Sequence, residues 1–298
     1  MPDYTAVPCA RQRAHHAEGP VWDHTRDELV WVDIYEGLIH RAAWEDGELH
    51  VTHTHAAGQA VGAVVPCADP GDGWIVATEF GFSRLHPDGT FTAVAEPERG
   101  HRPPTRMNDG KCDPLGRFWA GSMANDRTPG AGTLHCLSAD VSRPAIHGVT
   151  ISNGLAWTAP DAFLYIDTPA QCVERVRVGA DGRVASRGVA FEIAPELGAP
   201  DGMTIDEAGG LWIAMWGTGT VLRFTQDGEV TARVTVPARQ VSSCCFGGPD
   251  LRTLFITTSQ ENYTARQSAA EPNAGLLFAA DVCVRGRPAD LYVPGGST

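Results

Sequence analysis

The 298-residue chain has almost no lysine: Lys111 stands alone, and arginine supplies the remaining positive charge. Acidic residues outnumber basic ones 36 to 23, for a formal charge of −13 and a pI near 5.2. Nucleic-acid binding needs a basic face, so that class of partner is excluded. The eight cysteines stand singly apart from Cys244-Cys245, and without a C-x-x-C pair neither a zinc cage nor a redox pair is expected. The opening residues MPDYTAVPCARQRAHH lack the apolar stretch of a secretory signal, and no run approaches membrane-spanning length. Buried, reduced thiols in a cytoplasmic protein with no membrane partner are the expectation. A missing G-x-S-x-G elbow argues against a serine esterase, and a missing glycine-rich loop ahead of a helix argues against nucleotide binding.

What the chain does have is turns. Its 33 glycines and 21 prolines punctuate short apolar runs instead of forming a low-complexity block, within an ordinary 43% hydrophobic content. Residues 201–234 read as four strands, Gly202–Ile205, Leu211–Met215, Thr220–Phe224 and Glu229–Val234, with Asp201 just ahead of the first. The strong second strand recurs from Leu29, Trp74, Phe118, Phe163, Leu211 and Leu254, at intervals of 43 to 48 residues. Asp-Gly hairpin signals follow at Asp46, Asp88, Asp181 and Asp227. Six such units predict an all-β, six-bladed β-propeller with four antiparallel strands per blade, spanning 1–298 as one domain. Either Tyr4–Cys9 or Asp290–Val293 is expected to close the last blade. Trp22, Trp31, Trp119, Trp157 and Trp212 fall on repeat strands and read as packing between blades.

First strands of propeller blades line the central channel, so equivalent residues form a ring at one mouth. Taking the residue before each first-strand glycine gives Glu18, Val61, Asp109, Asn153 and Asp201, with Ser242 or Ser243 in the sixth blade. Carboxylates crowded together repel unless a cation or proton neutralises them. A ring of oxygen donors without histidine or cysteine favours a hard divalent ion such as Ca²⁺, Mg²⁺ or Mn²⁺. Asn-Gly and Asp-Gly also start turns, but Glu18-Gly19-Pro20 has no comparable turn role. Lys111 reads as a brace paired with a neighbouring carboxylate, and His53 and His55 as a solvated pair on an outer strand.

The segments AEGPVWD (17–23), RMNDGKCDPLGRFWAGSM (106–123), SNGLAW (152–157), PDGMTID (200–206) and CFGGPDLRTLFITTS (245–259) resemble the regucalcin/gluconolactonase family, also called senescence marker protein. The resemblance runs from about residue 15 to 280. It implies a propeller with one divalent metal, Ca²⁺ favoured over Mg²⁺, Mn²⁺ or Zn²⁺, that opens sugar lactones. The family's metal ligands fall on Glu18, Asn153 and Asp201, and its substrate-orienting residues on Arg106 and Asn108. A further substrate-contacting glutamate of the family falls on Asp126, one methylene shorter.

These residue types suit ester hydrolysis. Two carboxylates balance a divalent charge, neutral Asn153 adds a carbonyl, and positions remain for water and a lactone carbonyl oxygen. Asp201 is the expected general base, with Asp109 as its rival. Arg106 presents a planar fork of donors, and Asn108 can both donate to and accept from a hydroxyl. Two other functions fit the same scaffold: a metal-dependent phosphotriesterase of the diisopropylfluorophosphatase kind, and a calcium-binding propeller without turnover. The long connections Ala124–Gly132 and Gln260–Ala274 are candidates for a wall or lid over the pocket.

Overall fold

The computed structural model describes residues 1–295. Six small antiparallel sheets follow one another along the chain, so the fold is an all-β, six-bladed propeller. Blade one runs Ala17–Asp23, Glu28–Asp33, Leu38–Glu45 and Glu48–Ala56 from the channel outwards. The first strands of the other blades are Val61–Pro66, Thr105–Cys112, Ser152–Ala159, Ala199–Ile205 and Val241–Gly247. Each packs against the first strands of both neighbouring blades.

Burial explains the sequence pattern. Second strands such as Glu28–Asp33 and Phe118–Ala124 are buried at every residue, because adjacent blades cover both faces, and they read as near-continuous apolar runs. The outer strand Glu48–Ala56 is mostly exposed and alternates little. Between it and Leu38–Glu45, Asp46 and Gly47 take φ of +51° and +82°, the tight turn that Asp-Gly favours. The core is divided into six apolar clusters among the described residues, each shared by two neighbouring blades. The five repeat-strand tryptophans lie in these seams, none more than 5% exposed. Buried Asp113 and Asp206 brace the ends of their first strands. Each accepts an indole N–H, from Trp119 at 2.8 Å and Trp212 at 3.0 Å, and pairs with an arginine.

The N-terminus closes the ring. Val7–Pro8 pairs antiparallel with Phe278–Asp281 as the fourth strand of blade six. Asp290–Val293, the other expected candidate, runs instead beneath blades two and three, with the Tyr292 N–H on the Pro66 carbonyl and the Val293 N–H on Gly116, both at 2.9 Å. Asp3–Thr5 adds a parallel fifth strand to blade five, which the repeat did not signal. Among the described residues no helix is long and apolar enough to cross a membrane.

Candidate active site

A β-bulge recurs in every blade. The ladder between first and second strands skips one residue after Glu18, Val61, Met107, Ser152, Pro200 and Val241. A bulge leaves a residue unpaired and re-aims its side chain. The residues that stand level with one another are Ala17, Val61, Met107, Ser152, Pro200 and Val241, each the last pair before the break except in blade one, where Glu18 also pairs, with Val32, before the ladder shifts. The residues that follow them form the ring: Glu18, Gly62, Asn108, Asn153, Asp201 and Ser242.

This register corrects the sequence phase in two blades. Asn108 stands level with Glu18, Asn153 and Asp201, and Asp109 lies one residue further on, level with Gly19, Gly154 and Gly202. Gly62, not Val61, holds the slot in blade two, where a Cβ would meet the Asn108 carbonyl oxygen at 2.2 Å. Only glycine fits there. Asp201 itself lies inside its strand, Ala199–Ile205, and not ahead of it.

A chain of hydrogen bonds orders one side of the ring. Arg106 Nη1 donates to Asn108 Oδ1 at 2.6 Å, and Asn108 Nδ2 donates to Asn153 Oδ1 at 3.0 Å and to the Ser152 carbonyl at 2.8 Å. Asn153 Nδ2 donates to Thr168 Oγ1 at 2.7 Å, whose hydroxyl donates to the Pro200 carbonyl beside Asp201. The Thr168 contact fixes the amide so that the Asn153 oxygen, and not its nitrogen, faces the ring.

Electrostatics dominate the other side. Burial first, then the Asp109 charge, pushes the Glu18 carboxyl above its ordinary range, against the Gly19 N–H at 2.5 Å and the Arg106 and Lys111 charges. Asp201 is driven well above its ordinary range by burial, then by Glu18, Asp109 and Glu261. Burial also raises Asp109, with Lys111 and the Gly110 N–H opposing. The expected brace from Lys111 to a carboxylate is replaced by a bond from Nζ to the Met203 carbonyl at 2.7 Å, so Lys111 acts on the acids only at a distance.

Among the described residues no three His, Cys, Asp or Glu side chains alone form a metal cluster. The ring does fit a hard cation by the chemistry of its donors: two buried, mutually repelling carboxylates and an amide oxygen turned inward. Glu18, Asn153 and Asp201 are the residues that would hold it.

Two cavities flank the ring. One of about 490 Å³ holds Arg106 and is walled by Tyr35, Glu79, Asp126, Arg127 and Glu261. The larger, about 720 Å³, lies at the other end of the first strands and takes in Gly19, Asp109, Lys111 and Asp290. Asp126 stands at the rim of the smaller one, where its Oδ1 caps the Thr128 N–H at 3.0 Å and hydroxyl at 2.7 Å. His53 and His55 lie on the outer strand of blade one with parallel rings 6.0 Å apart, His53 exposed and His55 half-buried.

A model of the SMP-30/gluconolactonase/LRE-like region matches residues 16–260. The chain belongs to the SMP-30/gluconolactonase family. It is 36% identical to a 6-deoxy-6-sulfogluconolactonase of Pseudomonas putida over 95% of this chain and 96% of that one. A pentonolactonase of Haloferax volcanii is 33% identical over 91% and 92% of the two chains. The crystal structure of regucalcin from Agrobacterium tumefaciens, titled a calcium-binding protein, superposes with a TM-score of 0.89 at 26% identity and covers 98% of this chain and 99% of that one.

Tyr35, Glu79, Arg127 and Glu261 were not found from the sequence. They sit on connections outside the repeating strand pattern, and Tyr35 and Glu261 are separated by 226 residues. A repeat-phase argument assigns positions only on the strands.

Proposed function

We propose that this family member is a divalent-metal-dependent sugar lactonase that opens an aldonolactone ring to the aldonic acid. The observation that supports the reading is the burial of Glu18, Asn153 and Asp201 on three first strands at the repeated bulge, with Arg106 linked to Asn153 through Asn108. A divalent cation held by these three residues, with Ca²⁺ our first choice, would supply Lewis-acid polarisation of the lactone carbonyl.

The chain's own groups supply the rest. Arg106 is buried, and its named partners are all neutral: Asn108 Oδ1, the Met107 carbonyl and the Tyr35 hydroxyl. An unpaired guanidinium in that position suits an oxygen that gains negative charge during attack. Asn108 orients a ring hydroxyl, and Asp126 at the rim reaches the far end of the substrate. Asp201 accepts a proton from water as its oxygen bonds to the carbonyl carbon. The ring C–O bond then breaks, the departing oxygen takes a proton to become a hydroxyl, and the product leaves as a carboxylate. Asp109 opens onto the opposite cavity, which favours Asp201 over Asp109 as the base.

The polar wall of Glu79, Asp126, Arg127 and Glu261 supports a polyhydroxylated substrate over an apolar phosphotriester. Eight free thiols, seven of them buried, support residence in a reducing cytoplasm. A lactone panel run with and without chelator, restored metal by metal and set against a fluorophosphonate, tests the reading. Sugar-lactone hydrolysis that chelation abolishes is the expected result; rates indifferent to both enzyme and metal overturn it.

A further inference from the structure

Glu261 joins three loops that meet over the Arg106 cavity. Its Oε1 accepts the Tyr35 hydroxyl of blade one at 2.6 Å and Arg127 Nη2 of blade three at 3.1 Å, and its Oε2 lies 3.6 Å from His16 Nδ1. Its backbone is fixed as well: the N–H donates to Ser259 Oγ at 2.8 Å, and Gln240 Nε2 donates to the carbonyl at 3.3 Å. The Glu261 side chain is 12% exposed, so its place is set by these donors more than by solvent. Arg127 lies in the 124–132 connection and Glu261 in the 260–274 connection, so one contact ties together two loops on this face.

The consequence for Arg106 follows from hydrogen counting. A phenol has one proton to give. Tyr35 gives it to Glu261, which leaves the phenolic oxygen an acceptor, and Arg106 Nη2 donates to it at 3.2 Å. The guanidinium also lies over the same ring, 5.1 Å from its centroid. Asn108 holds the opposite edge of the guanidinium through Nη1. Arg106 is therefore held at both ends, and one end depends on where Tyr35 sends its proton.

We infer that Glu261 is a positioning residue, acting through Tyr35 to set the Arg106 guanidinium for its substrate and through Arg127 to lock the cavity wall. The inference rests on the lactonase reading for what Arg106 touches, and goes beyond it in assigning Glu261, Tyr35 and Arg127. Glu261→Ala frees the Tyr35 proton, so Tyr35 can turn its hydroxyl away from Arg106. Glu261→Gln keeps an acceptor oxygen and should restore the arrangement.

The test is a double-mutant cycle in the full-length protein. Glu261→Ala is expected to raise KM for the best sugar lactone roughly tenfold, the size of one lost positioning hydrogen bond, with kcat changed much less. Tyr35→Phe should do the same, Glu261→Gln should return KM to near wild type, and in the Tyr35→Phe background Glu261→Ala should cost far less than tenfold, the remainder being its separate contact with Arg127. A tenfold effect of Glu261→Ala that persists in the Tyr35→Phe background overturns the coupling. Crystal structures of the two single variants decide the matter independently of turnover: Arg106 displaced from its Tyr35 edge supports the inference, and Arg106 unmoved in both sinks it. If the wild-type chain opens no sugar lactone, the lactonase reading fails by itself, and the crystallographic comparison still judges Glu261.

Discussion

At the scale of single residues, the site is a contest between burial and charge. Glu18, Asp109 and Asp201 are each less than a tenth exposed, and their repulsion is not cancelled by any arginine or lysine in direct contact among the described residues. Such a cluster is unfavourable unless protons or a cation occupy it. Asp201→Asn keeps the shape of the side chain and removes its charge and its basicity. Its kcat for lactone opening is expected to fall by roughly 10²- to 10⁴-fold, the range for a lost general base. Initial rates corrected for spontaneous hydrolysis measure this, and a variant with wild-type kcat removes Asp201 from the chemistry. Thr168 works one contact further out, since among the described residues it alone receives the Asn153 amide N–H₂. Thr168→Val lets that amide rotate, and metal affinity is expected to drop about 10- to 100-fold, as for other outer partners of ligands. Calorimetric titration of chelator-stripped protein reads it; an unchanged Kd means the amide is oriented by something else.

At the scale of elements, the bulge is the device that turns a repeated strand into a site. It also marks where sequence reading loses accuracy. Asn108-Asp109-Gly110 offers two polar residues before one glycine, and taking the residue next to the glycine selects Asp109. The ladder selects Asn108, because the break follows Met107. Which of two neighbours a bulge leaves unpaired depends on hydrogen bonds to the partner strand, and those are not written in local spacing. The strap that follows blade six makes a separate prediction. Burial first, then the nearby Asp113 charge, pushes Asp290 up to about 6 from an ordinary 3.8. A raised carboxyl binds its proton more tightly in the folded chain than in the unfolded one. Its contribution to stability is therefore complete below about 4 and lost as pH rises through about 6. Asp290→Asn removes that loss. The variant is expected to melt a few degrees above wild type at pH 8 and level with it near pH 4, the partial exposure of the group holding the gain to roughly that size. Equal Tm shifts at both pH values would mean the charge of Asp290 is not what matters.

At the scale of the whole molecule, the architecture was legible because its period is long and its signal strong. Second strands such as Leu211–Trp216 are buried at all but one position, and the wall of neighbouring blades that buries them repeats six times. Glu18, Asn153 and Asp201 were within reach of sequence reasoning for the same reason, whereas the period selected Asp109 and only the family resemblance pointed to Asn108. Tyr35, Arg127 and Glu261 were not, since loops between blades share no phase and their meeting is a product of ring closure. Closure itself was half legible. Both chain ends carry a short strand-like segment, and only pairing across the length of the chain, Val7 with Ala279, decides between them.

The central claim is that rotational symmetry gathers Glu18, Asn153 and Asp201 around one divalent cation on which lactone opening depends. The most direct measurement is a titration of chelator-stripped protein with Ca²⁺, recording bound metal and lactone hydrolysis at each addition. The account expects activity to be absent at the start and to rise in proportion to occupancy, saturating at one ion per chain. Full activity in the stripped protein, or a metal stoichiometry unaffected by Asp201→Asn, would contradict it.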